Sequence, residues 1–398
     1  MLLLLTSITH WVYKWRNPKC NGKLPPGSMG FPIIGETIQF FIPSKSLDVS
    51  SFIKKRMKKY GPLFCTNLAG RPVVVSSDPD FNYYIFQQEG KLVELWYMDS
   101  IAKLVGMDTS QSIAATGYVH KYLRNLALAH FGTEALKGRL LSKAEDMIRT
   151  RLHDWSKLPA FEFKACVSSD QKEIMKLIHD ALKEKKASSK TLQRDFLDQM
   201  IDDMKKEKFL SDDFVVFVMF GVLFASFETI SSTLTLAIKL LIEHPLVMQQ
   251  LIEEHEAILK NREDPNSGIS WKEYKSMTFT HQVINEVLRL GSVAPGILRR
   301  AIKDIQVNGY TIPAGWTIMV VPAALQLNPD TFVDPLLSIH GGGRSCIGAE
   351  FAKVLMTTFF HVLVTNYRLT KIKGGQIARS PILTFGNGLH INISKKHG

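Results

Sequence analysis

Hydrophobic and polar residues recur along this chain with different periods, and the period marks the elements. From Phe214 to Phe227 no residue is charged and apolar side chains fall on every face, the pattern of a helix buried all round. Ser211-Asp212 stands before it as a cap, and the pattern predicts a helix running to about Glu243. The uncharged run stops at Glu228, short of the ~20 residues that cross a bilayer, so a core helix is expected. Other helical patterns cover Ser51–Lys59, which is basic and amphipathic, Asp80–Gln88, His120 to about Phe131, and Gly132–Trp155. Further ones lie at Gln171–Lys186, Asp195–Lys206, Ser270–Leu290 and Phe351–Val364. Ser188–Arg194 between two of them reads as a polar linker.

Strand patterns are fewer. Leu63–Leu68 and Pro72–Ser76 flank an Ala69-Gly70-Arg71 turn. Asp304–Ile318 reads as a hairpin with a glycine turn, and Pro381–Ile391 as a hairpin about Asn387-Gly388. The expected class is mainly α with a small β region. Leu24-Pro25-Pro26-Gly27 through Pro32 is a stiff joint that no helix interior accommodates. Before it, Met1–Val12 is mostly apolar and is followed by Lys14, Arg16, Lys19 and Lys23. No charge precedes that run and no small-residue cleavage site succeeds it, so it does not read as a cleaved signal. A short membrane anchor over 1–23 and an interfacial segment both fit, and the basic flank places the downstream chain on the cytosolic side.

Composition narrows the class. Apolar residues at 45% and charged residues at 22% exclude a disordered chain, and 398 residues suffice for a large core. The four cysteines (Cys20, Cys65, Cys166, Cys346) lack disulfide-framework or zinc spacing, which points to a reducing compartment. The net charge of +12 suits anionic lipid, an acidic protein partner or nucleic acid; with no nucleic-acid motif in the chain, the first two are favoured.

Two stretches carry chemistry. Ile339-His340-Gly341-Gly342-Gly343-Arg344-Ser345-Cys346-Ile347-Gly348 combines glycines that let backbone approach something flat with a cysteine just before an apolar helix. Amide N–H groups and the helix dipole there favour a thiolate, and a thiolate near a cationic side chain suits an axial ligand to haem iron. The alternative is a glycine-rich turn with a buried, inert cysteine. In Ala225-Ser226-Phe227-Glu228-Thr229-Ile230 an acid and a hydroxyl interrupt the apolar helix. That costs stability unless both are partnered; the alternative is a threonine bonded back to its own helix. Elsewhere, His120 and Arg124 share a helix face, as do Glu286 and Arg289.

Gly342-x-Arg344-x-Cys346-x-Gly348 resembles the haem-binding loop of cytochrome P-450 monooxygenases, and the other stretches come in that family's order. The likeness is to plant members of the clan acting on sterols, brassinosteroids and triterpenes, and it runs from about Leu24 to the C-terminus. Three positions depart from the pattern: Ile339 where phenylalanine is usual, Ser226 where glycine is usual, and Ile230 where threonine or serine is usual. The resemblance implies one large haem domain over 24–398 behind an N-terminal membrane segment, with internal deletions near 169–171 and 335–338. The first would remove helices that roof the substrate pocket, the second an arginine that completes a triad with Glu286 and Arg289.

The resemblance also implies roles. Cys346 ligates the iron of haem (iron-protoporphyrin IX), and Gly342 and Gly348 let the backbone approach it. Arg344, His120, Arg124 and Arg299 pair with the propionates. Glu228 and Thr229 deliver protons to dioxygen, and the Val293–Ile297 strip lines the pocket. The implied reaction is hydroxylation of a hydrophobic terpenoid or steroid-like substrate, triterpenoid favoured, using O2. Implied partners are an NADPH-dependent flavoprotein reductase and membrane lipid, with no nucleic acid, for a monomer on the endoplasmic reticulum membrane facing the cytosol. A reductase-independent haem-thiolate isomerase and a truncated, non-catalytic isoform stay open beside this.

Overall fold

The structure is a computed structural model and describes residues 2–96, 118–164, 178, 180–186, 195–264, 266–327 and 346–396. Its longest element is the helix Asp212–Glu243, capped by the Ser211 hydroxyl, which accepts from the Phe214 N–H. The C-terminal half of this long helix is buried against the helices Thr278–Gly291 and Ala349–Asn366. Its N-terminal half packs with Tyr118–Phe131 and Phe196–Asp203, the latter opened by a reciprocal Asp195–Asp198 cap. Burial is not continuous, contrary to the expectation of a helix buried all round: Leu223, Phe224 and Phe227 in the middle face solvent. The apolar pattern registers what the helix can cover, not what covers it.

Other expectations hold with local changes. Ser51–Tyr60, Pro79–Gln87 and Tyr118–Phe131 form as helices. The 270–290 region breaks at Met277 into Trp271–Ser276 and Thr278–Gly291. The 132–155 region passes through a wide turn at Leu136–Leu140 before Leu141–Trp155. Of the charged segment expected over 171–186, residues 180–186 are helical, and 171–177 lie outside the described residues, as do the linker 188–194 and Cys166.

Among the described residues twelve short strands make up the β region: β1 Leu63–Leu68, β2 Arg71–Ser76, β3 Val93–Leu95, β4 Phe161–Glu162, β5 Ile297–Ala301, β6 Ile305–Val307, β7 Tyr310–Ile312, β8 Thr317–Val320, β9 Tyr367–Gly374, β10 Ala378–Ser380, β11 Ile382–Thr384 and β12 Leu389–Lys395. A five-stranded sheet runs β1-β2-β8-β5-β3, with β2 and β8 parallel and the other pairs antiparallel. The β6–β7 hairpin turns on Asn308-Gly309, both at positive φ as a type I′ turn requires. The second expected hairpin does not form. β11 pairs with β10, while β12 pairs with β9 and β4, and Gly386 and Gly388 take the positive φ values there. Register with the long strand β9 overrides the local Asn-Gly signal.

Two buried polar assemblies hold the helical frame. His255 and His361 meet Nδ1 to Nδ1 at 3.0 Å in the core. Thr280 Oγ1 donates to Glu254 Oε2 at 2.5 Å and lies 3.0 Å from His255 Nε2. Because that hydroxyl proton is committed to Glu254, His255 Nε2 must donate to Thr280, its Nδ1 must accept from His361, and His361 Nε2 is left as an acceptor with no hydrogen-bond partner. The chain crosses three helices, Pro245–Lys260, Thr278–Gly291 and Ala349–Asn366. In the second assembly Arg379 is 3% exposed and donates to four backbone carbonyls: Gly291 at 2.7 Å, Ser292 at 3.1 Å, Leu47 at 3.3 Å and Leu290 at 3.4 Å. Three of these end the helix Thr278–Gly291, where the dipole favours a cation.

These assemblies carry two expected outcomes. Burial, the largest cause in each case, pulls His255 down to about 3 and His361 down to about 4, against ~6.5 in an unfolded chain. The unfolded state therefore binds more protons in this range; stability is complete above pH 6.5 and is lost as pH falls through 6 and 5 toward 4. The slope is at most ~1.4 kcal/mol per pH unit for each histidine. Denaturant unfolding between pH 7 and 5 should show it, and His361→Leu should flatten it; an unchanged slope in that variant would contradict the assignment. Arg379→Met should cost about 3 kcal/mol by orphaning the carbonyls, with Arg379→Lys recovering part, as read from denaturant midpoints at constant m-value.

Candidate functional site

Among the described cysteines the environments differ sharply. Cys65 is buried in β1 with Sγ 3.1 Å from the Pro25 carbonyl, and burial pushes its thiol up to about 11. Cys20 is half-buried, with Sγ 3.6 Å from the Thr311 carbonyl. Cys346 is exposed, so it is not the inert, buried cysteine of the alternative reading. It lies two residues before Gly348, the N-cap of Ala349–Asn366. Arg344 and Gly342 lie outside the described residues, as does the 335–338 junction.

The cysteine is tied to the long helix through its neighbour. Ile347 packs against the buried cluster that includes Val215, Val216, Val218 and Phe220 of the long helix and Leu126 and Ala127 of Tyr118–Phe131. His120 and Arg124 are half-buried on that second helix, and both engage in contacts there. One cluster thus gathers the cysteine's flank, the helix that carries His120 and Arg124, and the N-terminal half of the long helix.

Glu228 and Thr229 are both partnered. The Lys164 ammonium lies 2.5 Å from Glu228 Oε1, and the Ser232 hydroxyl donates to the same oxygen at 3.3 Å. Lys164 comes just after β4, where the Phe163 N–H donates to the Leu389 carbonyl at 2.9 Å and the Phe163 ring packs on Phe359. Thr229 Oγ1 donates back to the Ala225 carbonyl at 2.7 Å, and it is exposed. The hydroxyl is thus satisfied within its own helix while still exposed, on the face opposite to that of the exposed Leu223, Phe224 and Phe227.

Arg299, on β5, is 3% exposed. Its Nε lies 2.7 Å from Glu89 Oε2, its Nη1 donates to the Leu298 carbonyl, and its guanidinium sits 5.2 Å from the Phe86 ring centre. In this structure its charge is therefore balanced by Glu89. Glu286 and Arg289 form the expected pair, bidentate at 2.7 and 2.5 Å, with Arg289 Nη1 donating to the Gln326 carbonyl at 3.0 Å. Sequence reasoning missed Lys164 and Glu89 as partners. Nothing local marks either one, because each meets its partner only through strand pairing and helix packing.

The residues present fit a haem. A macrocycle needs a soft ligand that is accessible and an apolar surface that it can cover, and exposed apolar surface of this kind ordinarily marks a binding site. Cys346 supplies the first and the exposed middle of the long helix the second.

Comparison with known proteins agrees. The description Cytochrome P-450 matches residues 152–337. Cucurbitadienol 11-hydroxylase of Siraitia grosvenorii is 44% identical over 463 residues, covering 99% of this chain and 98% of the relative. Beta-amyrin 16-alpha-hydroxylase CYP87D16 of Maesa lanceolata is 42% identical over 460 residues, covering 98% of this chain and 97% of the relative. The solved structure of retinoic acid bound cyanobacterial CYP120A1 superposes with a TM-score of 0.79 at 21% identity, over 94% of this chain and all of that one. The chain belongs to the cytochrome P-450 family.

Proposed function

We propose that this haem-thiolate monooxygenase hydroxylates a triterpenoid, drawing electrons from an NADPH-dependent flavoprotein reductase at the endoplasmic reticulum membrane. The observation that carries the proposal is the exposed Cys346 thiol at the start of a buried helix, joined through Ile347 to the helix bearing Glu228 and Thr229. The substrate class is supported by the triterpenoid-hydroxylating relatives.

Haem held by Cys346 supplies the activation of dioxygen. The chain's own residues do the rest. Arg344, Arg124 and Arg299 would hold the haem propionates, since guanidinium groups pair with carboxylates in two places at once, and His120 would donate a ring N–H to them. Arg299 is positioned for this by Glu89 and the β5 ladder. Thr229 holds a proton at its exposed Oγ1, and Glu228 is the neighbouring carboxylate, oriented by Lys164. Leu223, Phe224 and Phe227 present an apolar wall to an apolar substrate.

A second reading, impaired turnover of a shortened chain, is favoured by one observation. The alignments extend over 463 and 460 residues against the 398 of this chain, so the relatives carry stretches without counterpart here.

Expressed with haem, reduced and treated with carbon monoxide, the chain should show the Soret band of a thiolate-bound iron, and Cys346→Ala should lose it. A band that persists in the variant would end the ligand assignment. With reductase and NADPH, cucurbitadienol or β-amyrin should gain one hydroxyl; a loaded protein that turns over hydroperoxides without reductase would overturn the reaction. In the haem-free chain Glu89→Ala leaves the Arg299 charge buried alone and should destabilise it by about 3 kcal/mol, with the Arg299→Met double variant regaining about half. A loss too small to measure in urea titrations would contradict the pairing.

A further inference from the structure

The arginine of β5 assigned to a haem propionate also faces a carboxylate of the chain itself. Arg299 is buried, and its Nε lies 2.7 Å from Glu89 Oε2. Its Nη1 donates to the Leu298 carbonyl at 2.9 Å, and the Phe86 ring centre lies 5.2 Å from the guanidinium. Among the described residues the Nη1 contact is the one hydrogen bond of this side chain, and the buried Nε makes no aligned one. A buried guanidinium with donors to spare can take a further acceptor without giving up its first partner.

The backbone fixes the acid in place. The Gln88 carbonyl accepts from the N–H groups of Lys91, Leu92 and Val93, and the Gly90 N–H donates to the Val93 carbonyl at 2.7 Å. This turn enters β3, whose Val93, Glu94 and Leu95 pair with Ala301, Arg300 and Arg299 of β5. Two ion pairs therefore join one short segment to β5. In Glu89–Arg299 the side chains are 17% and 4% exposed, whereas in Glu94–Arg300, at 2.6 Å, they are 31% and 43% exposed. Successive strand residues point to opposite faces of a sheet, so the two pairs are a buried and a wet version of the same contact.

A buried guanidinium needs a counter-charge whether or not haem is bound. In the haem-free chain Glu89 supplies it. In the loaded chain a propionate competes for the same cation, so Glu89 stabilises the haem-free chain more than the loaded one. A group that favours one state in this way weakens the ligand of the other by the difference. The same carboxylate acts on the iron. Reduction adds an electron, and a negative charge in a low-dielectric surround opposes that.

We propose that Glu89 is the counter-ion of Arg299 in the haem-free chain and shares that cation with a propionate once haem is loaded, so that its charge loosens the hold on haem and lowers the reduction potential of the iron. The proposal rests on the haem-thiolate reading above and adds to it a residue that touches neither iron nor substrate.

Two measurements on the haem-loaded full chain test it: a potentiometric titration followed at the Soret band, and the rate of haem transfer to a haem-free globin. Glu89→Gln should shift the one-electron equilibrium toward ferrous iron by roughly tenfold, ~59 mV. It should also slow haem loss by about fivefold or more. Glu94→Gln removes the same charge from the wet pair and should leave both readouts as in the wild type, because water screens it. Glu89→Asp keeps the charge but withdraws it by one methylene, and should slow haem loss by less than Glu89→Gln does; it tests the same contact if Glu89→Gln does not accumulate. An unchanged potential in Glu89→Gln, or faster haem loss in either Glu89 variant, overturns the proposal and leaves the haem-thiolate reading standing. A shift in Glu94→Gln as large as that in Glu89→Gln marks a general effect of net charge and also overturns it. A wild-type chain with no thiolate-bound Soret band overturns both.

Discussion

The site depends on one contrast: a sulfur in the open at the head of a helix that cannot move. Ala349–Asn366 has ten buried residues, including the run from Met356 to Val364, and His361 joins it to two other helices by hydrogen bonds that close only while His255 Nδ1 stays unprotonated. Displacing Cys346 would mean opening that core. In a close-packed interior a shift of one element is felt by all its neighbours, so the thiol is presented from a fixed base even though it is itself exposed.

The same logic governs the charges around it. Arg299, Arg289 and Arg379 are all largely withdrawn from water, and each is balanced by something specific: Glu89, Glu286 with the Gln326 carbonyl, and the carbonyls that end Thr278–Gly291. Buried guanidinium groups add little to stability beyond well-packed apolar residues, but they penalise any arrangement that leaves them alone. Together they fix the ends of the helix Thr278–Gly291 and of β5, the elements that lead into the strip from Val293 to Ile297. The middle of the long helix is different. Its apolar side chains and its threonine face outward, so the chain exposes here the surface that a macrocycle and an apolar substrate would cover.

Much of this was legible in the sequence where local physics decides. Ser211 before an apolar run, the Asn308-Gly309 turn and the Glu286–Arg289 spacing all formed as read, because caps, type I′ turns and i,i+3 pairs are settled within a few residues. The cysteine and the acid–hydroxyl step were found from chemistry out of keeping with its surroundings. What escaped was long-range. Asn387-Gly388 looked like a second hairpin, but β12 had a longer partner in β9. The uncharged run of Phe214–Phe227 fixed its helicity and not its cover, which depends on distant segments. Lys164 and Glu89 became visible as partners only once strands and helices had brought them to Glu228 and Arg299.

The central claim is that Cys346 places sulfur on iron. X-ray absorption at the iron edge of the haem-loaded protein reads this directly. A single sulfur in the first coordination shell of the wild type, replaced by oxygen or nitrogen in Cys346→Ser, is the expected result. Sulfur retained in that variant, or a wild-type shell made only of nitrogen and oxygen, would contradict it.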